Sequence, residues 1–405
     1  MSMSYQGQIV IDADCHMREY ADLDRTYREH MDPGFRDAYE ELSQAVSARQ
    51  RWPGEQVLFM NPRSFLAPTP ERRPLGVRDS FAIVPSGGNG GRRTSPTGAE
   101  APGSSAARID PACNWDPALR LRDMDAASID IGVMFSSQSD GFCVLRDIGF
   151  EHALHQAYHR YMTNYCSESE GRLRWISNST LRDIPTTISD LTYWAQQDDN
   201  FAGMFIPRAC PDGRLLDNPD LHPLYAAAQD LDLPLWVHGG TLRPPLTPGA
   251  TDLDDSGFLI QAMYHGWGGQ TAVGALIGGG VFDLFPRLRI GVFESGAGWM
   301  PWLIERLDEA YRPRSGMTPN LRRKPSEVIA EGHLFCSVEP GEEHLAYCVD
   351  TLGEDIWLFS TGYPHPGTCW PDGVSLIDGN EGLSEQAKLK ILSQNAQRLC
   401  PRLAK

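Results

Sequence analysis

From residue 117 onward the chain alternates between short, continuously apolar runs and longer stretches whose apolar positions recur three and four apart. The first pattern predicts buried strands and the second predicts helices packed on them by one face. Strands are expected at 8–14, Ile131–Phe135, Leu173–Ser177, Phe201–Ile206, Pro234–His238, Arg289–Phe293, Leu334–Val338 and Ile356–Ser360. Helices are expected at Pro117–Ser128, Glu151–Cys166, Thr186–Gln197, Leu221–Leu231, Phe258–Gly278, Trp299–Tyr311, Glu342–Leu352 and, closing the chain, Ser384–Cys400. Eight apolar strands alternating with helices fit a parallel sheet covered on both faces, and a (β/α)8 barrel better than a doubly wound sheet. The whole of 1–405 then forms one domain.

Residues 20–116 break the pattern and read as a long insertion after the first strand, with helical character near 34–48. Its stretch 56–70, QVLFMNPRSFLAPTP, is apolar enough to pack onto something. Its stretch 84–107 is rich in Gly and Ser and reads as a mobile loop, either a lid over the catalytic face or a solvated linker.

Composition narrows the partners. The chain has 405 residues, 41% hydrophobic and 22% charged, with a net charge of −17. That acidic balance argues against a nucleic-acid or anionic-membrane surface. Nine cysteines without a CxxC pair argue against a disulfide framework or a zinc ribbon. With no signal-peptide pattern and no run near the ~20 apolar residues that span a bilayer, a reduced, cytoplasmic protein is expected. A homo-oligomer is left open.

The chemistry starts in IVIDADCHMRE, Ile9–Glu19. Residues two apart share one face of a strand, so Asp14 and His16 should leave the first strand together, as a carboxylate–imidazole pair suited to a metal. The alternative makes Asp14 a turn cap and His16 a hydrogen-bonded loop histidine. In a barrel, chemistry gathers at the C-terminal strand ends. There the fifth strand ends in His238 before Gly239 and Gly240, and the sixth in Glu294. The eighth ends in Ser360-Thr361-Gly362, followed by Tyr363-Pro364-His365, and Glu339 closes the seventh. This convergence favours a metal site. His265 could dip into it, and Trp267, Trp299 and Tyr363 are candidates to line a substrate pocket. His155 and His159, four apart on one helix, have ligand spacing but more commonly form a surface pair.

DADCH with Glu19, LRLRDMDAASID, WVHGG, GGGVFDLFPRLRIGVFESGAGWMPWLIERLD, CSVEPGEE, GYPHPG and ILSQNAQRLC together resemble the amidohydrolase-2 family. The resemblance implies a (β/α)8 barrel holding one divalent metal, in hydrolases and nonoxidative decarboxylases of aromatic acids. It maps the metal pair to Asp14 and His16, the fifth-strand ligand to His238 and the sixth-strand catalytic position, often His, to Glu294. Where the family carries an eighth-strand Asp, this chain has Gly362.

With surplus ligands Glu19, His265, Glu294 and His365, that departure resembles the nonheme diiron monooxygenase of platensimycin and platencin biosynthesis and its relatives. The leading expectation is therefore an oxidoreductase: two irons held by Asp14, His16, Glu19, His238, His265, Glu294 and His365, with Glu294 and His365 catalytic. It would use O2 to hydroxylate an apolar small molecule, free or as a coenzyme A thioester. Arg63, Arg72, Arg73, Arg78, Arg92 and Arg93 of the insertion could meet coenzyme A phosphates. The alternative is a zinc- or manganese-dependent hydrolase or decarboxylase, with Glu294 or His365 replacing the missing Asp. A third reading is a barrel that binds a ligand without turnover.

Overall fold

The computed structural model describes residues 5–19, 22–47, 109–137, 142, 145–210, 212–238, 257–365 and 368–404. The stretches 56–70 and 84–107, with their arginines, lie outside the described residues, as do Gly239 and Gly240. Eight strands form one parallel sheet in sequence order: β1 Ile11–Met17, β2 Ile131–Ser136, β3 Leu173–Ser177, β4 Phe201–Pro207, β5 Leu235–His238, β6 Ile290–Val292, β7 Leu334–Val338 and β8 Trp357–Phe359. The principal helices are α1 Arg36–Ser47 in the insertion, then α2 Pro117–Ala126, α3 Ile148–Ser167, α4 Ile184–Gln197, α5 His222–Asp230, α6 Gly257–Gly278, α7 Met300–Arg314 and α8 Leu345–Leu352. This is the expected (β/α)8 barrel.

Helix starts follow from local chemistry. Asp116, Asp147 and Asp183 each accept backbone N–H bonds at the first turns of α2, α3 and α4, satisfying donors that a helix leaves open. The start of α8 differs from the expected Glu342. Glu342 turns back instead, and its carboxylate accepts from Ala297 N, Gly298 N and Glu339 N at 2.8–3.2 Å. One side chain thereby ties the chain after β6 to the chain after β7.

The barrel interior is apolar at its base. Ile11, Val133, Phe135, Trp236, Phe293 and Phe335 pack together inside it, and Ala396 and Leu399 of the closing helical segment plug the bottom. That segment runs Glu385–Leu389, a π turn Lys390–Gln394, and Asn395–Leu399.

Strand β1 reaches three residues beyond the expected end, so Asp14 and His16 lie within it. Its register with β2 slips between Asp12 and Cys15. Below the slip Ile11 and Ala13 face the interior; above it Cys15 and Met17 pack on the outer layer. Such a bulge reverses the in–out phase of a strand, and it leaves Asp14 and His16 facing the axis. The barrel closes where β1 meets the chain after β8: Gly362 N donates to Asp14 O (2.9 Å) and His16 N to Tyr363 O (2.6 Å). Asp12, turned outward, accepts from Thr361 N (3.0 Å) and Thr361 Oγ1 (2.5 Å).

A second slip, in β4 opposite β3, falls at Gly203. Its φ is +131°, and a Cβ there would stand 2.4 Å from Pro234 O, just before β5. Only glycine fits a positive φ with backbone this close. Gly203→Ala should cost about 3 kcal/mol in urea unfolding; a loss under about 0.5 kcal/mol would show that the strands can move apart freely.

Candidate metal centre

The inward face of β1 meets the ends of β5 and β6. Ligand atoms of Asp14, His16 and His238 lie within 4.8 Å of one another, and all three residues are buried. His16 Nε2 is 3.3 Å from Asp14 Oδ1, and His238 Nε2 is 3.7 Å from Asp14 Oδ2. Glu294 Oε2 joins from β6, 3.1 Å from His238 Nε2, and its side chain keeps 34% exposure. Glu294 is thus the open side of the cluster. His265 of α6 places Nδ1 3.6 Å from Glu294 Oε2. Beneath lies an aromatic floor, with the Phe135 ring 4.9 Å from His238 and 5.2 Å from Phe293.

Asp14 Oδ1, His16 Nε2 and His238 Nε2 are buried without a hydrogen-bond partner. Leaving such atoms unpaired is costly, and all three aim at one point. Burial raises the Asp14 carboxyl to about 7, with His238 opposing and Glu294 adding to the rise. Burial also opposes a charge on His238, yet Asp14 and Glu294 raise its pKa. Two imidazoles and a carboxylate, with a second carboxylate adjacent, form a donor set for zinc or manganese, and a dication would relieve the strain among them. The residues present fit a metal.

The surroundings hold these ligands in place. Ser137 Oγ lies 3.4 Å from His16 Nδ1 and 3.2 Å from His365 Nε2, and the His16 and His365 rings meet edge to face at 4.4 Å. Glu19 does not enter the ligand cluster. It accepts from Ser136 Oγ and from Ser137 N (2.9 Å), fixing the turn that carries Ser137. Arg120, fully buried in α2, donates to His16 O at 2.9 Å. Glu294 has a positive φ of 51°, an uncommon backbone for a non-glycine residue. Two bonds brace it: Glu294 N donates to Ser337 Oγ (3.1 Å), and Arg208 Nη2 donates to Glu294 O (3.0 Å).

The structure therefore brings together Asp14, His16, His238, Glu294, His265 and His365. It sends others elsewhere. Tyr363 points behind β1, where its OH donates to Asp123 Oδ2 (2.5 Å) and Arg120 stacks over its ring at 5.0 Å; the substrate pocket expected for it lies on the other side of the strand. Trp299 is partly buried and donates to Ser295 O (2.8 Å), which fixes its ring beside the β6 turn. Trp267 is half-buried on α6. His155 and His159 do not converge on an ion: His155 Nδ1 lies 3.3 Å from Thr180 Oγ1, while His159 Nε2 accepts from Asn178 N (2.9 Å). Sequence reading missed Asp12, Arg120, Ser137, Arg208 and Glu342. Arg120 alone carried a signal, as a cation inside a helix of apolar spacing.

Comparison with known proteins points the same way as the donor set. The chain is 25% identical over 293 residues to 2-amino-3-carboxymuconate-6-semialdehyde decarboxylase of Dictyostelium discoideum, covering 71% of this chain and 77% of that protein. It is 29% identical over 181 residues to gamma-resorcylate decarboxylase of a Polaromonas species, covering 44% and 53%. In fold it resembles 5-carboxyvanillate decarboxylase from Novosphingobium aromaticivorans, solved with manganese, at a TM-score of 0.62 and 20% identity over 98% of this chain and 97% of that one. These relatives overturn the expected diiron monooxygenase, and with it the oxidoreductase chemistry, O2 and coenzyme A thioester. The oxygenase reading rested on Gly362 and on surplus ligands, and the surplus ligand Glu19 is engaged with the serine turn.

Protein purified without chelator should carry about one zinc or manganese per chain, read by elemental analysis. His238→Ala should cut that content at least about tenfold, whereas Glu19→Gln should keep the metal and lower the melting temperature. Two irons per chain would instead support a diiron site. The amidohydrolase family matches residues 11–402, and the chain belongs to it.

Proposed function

We propose that this protein is a metal-dependent, nonoxidative decarboxylase of a small aromatic carboxylic acid, using zinc or manganese held by Asp14, His16 and His238 with Glu294 alongside. The carrying observation is the set of three buried, unpaired ligand atoms aimed at one point. The named relatives add the reaction class. When bound, the ion would supply Lewis acidity to an oxygen of the substrate.

The remaining work falls to the chain. Phe135, with Trp236 and Phe293 behind it, gives an apolar floor on which a flat ring can rest. Arg208 brings a cation beside that floor, within 3.4 Å of His265 Nδ1, and its charge favours anions there. Burial around Asp14 and His238 keeps water from the ligands. Glu294, the more exposed group, closes the cluster on the side from which a substrate enters. The described cysteines are all unpaired, which supports the cytoplasm as the site of action. Among the described residues no helix is long and apolar enough to cross a membrane.

The test is release of CO2 from a panel of hydroxybenzoates and related unsaturated acids, with products separated by chromatography. Turnover should fall at least about a hundredfold after chelation and return with zinc or manganese. Full activity in the chelated protein, or no CO2 from any acid of the panel, would refute the reading.

A further inference from the structure

Decarboxylation needs a proton. The aromatic carbon gains one as it loses its carboxylate, and a group at the barrel mouth must supply it. Position 362 at the end of β8 has no side chain to give; its N–H is bonded to Asp14 O and its φ is +66°. The histidines at the mouth are turned to other tasks. His265 presents Nδ1 to Glu294 and Arg208, and His365 presents Nε2 to Ser137.

Strand β7 offers another group. Phe335 lies in the barrel interior and Ser337 bonds Glu294 N, whereas Cys336 and Val338 pack on the outer layer. Glu339 stands one residue past the end of β7, where the inward series 335, 337 next falls. It therefore follows Ser337 into the mouth, on the side where Glu294 stands. Glu342 pins its backbone: Glu339 N donates to Glu342 Oε1 (2.8 Å), and Glu342 N donates to Glu339 O (2.9 Å). The same Glu342 carboxylate holds Ala297 N and Gly298 N after β6. Glu339 and the Glu294 turn are thus braced by one side chain.

We propose that Glu339 is the catalytic acid, delivering the proton to the ring carbon that bears the departing carboxylate. The inference rests on the decarboxylase reading. The Glu339 O–H bond breaks and a ring C–H bond forms. The ring–carboxyl C–C bond then breaks, its electron pair restores the aromatic ring, and CO2 leaves. Glu339 remains as a carboxylate and regains a proton from solvent, so one proton is consumed per CO2. The environment suits the role. Burial first, then the charges of Glu294 and Asp14, with Glu342 and Asp12 behind them, raise its carboxyl to about 7. A group raised this far is partly protonated near neutral pH and can part with its proton.

Glu339→Gln keeps the shape and removes the acid. In the metal-loaded enzyme it should lower kcat at least about a hundredfold, with KM and metal content unchanged. Exchange of the product's ring hydrogen with D2O should vanish in the same variant. Glu339→Asp should restore part of both. If wild-type enzyme turns over and Glu339→Gln retains kcat within about threefold, the assignment to Glu339 is overturned and the decarboxylase reading stands. If wild-type enzyme releases no CO2 from any acid tested, that reading falls and this role falls with it.

Discussion

The mouth of this barrel depends on the joint between β1 and the chain after β8. Asp12 anchors it with two bonds to Thr361, and the backbones of Asp14 and His16 cross to Gly362 and Tyr363. Hydrogen bonds to a charged acceptor contribute about 1.5–3 kcal/mol each, more than neutral ones. Burial nonetheless lifts the Asp12 carboxyl to about 7, so its bonds to Thr361 offset a desolvation cost. Arg120 reinforces the joint from outside by gripping His16 O. The two ligands of β1 are thus fixed through their main chain before any ion arrives, and the side chains need only choose rotamers.

Around that fixed pair the protein concentrates unfavourable electrostatics. Carboxylates and imidazoles are buried together, three of their atoms lack partners, and Glu294 sits in a left-handed backbone. Strain of this kind persists only where surrounding structure enforces it. Ser337 and Arg208 enforce it here, and Ser137, itself held by Glu19, supports His16. A divalent cation is the ligand that such an arrangement would reward.

Much of the fold was legible because continuous apolar strands and helical spacing are local signals. All eight strands lie near their expected places, and Asp14, His16, His238 and Glu294 meet as the strand-end argument requires. What stayed hidden is non-local. Asp12 acts on Thr361 and Arg120 on His16, each across more than a hundred residues. Glu342 reads as a helix start and acts as a brace. Tyr363 reads as a pocket aromatic, but closure of the barrel turns it to Asp123. The oxygenase expectation failed for a related reason: it weighed one glycine and a count of possible ligands, and a count does not show which way Glu19 points.

The slip in β1 has a consequence for how such a site can change over time. It divides the strand into two halves with opposite parity. The lower half answers to the packing of Ile11 and Ala13; the upper half answers to the ligands. Mutations that repack the base need not disturb the chemistry, and exchange of a ligand type at position 14 or 16 need not unsettle the base. Without the slip, the alternation set by Ile11 and Ala13 would run on through the strand, turning Asp14 and His16 into the outer layer and bringing Cys15 and Met17 to the axis. The barrel would keep its strands and lose its metal.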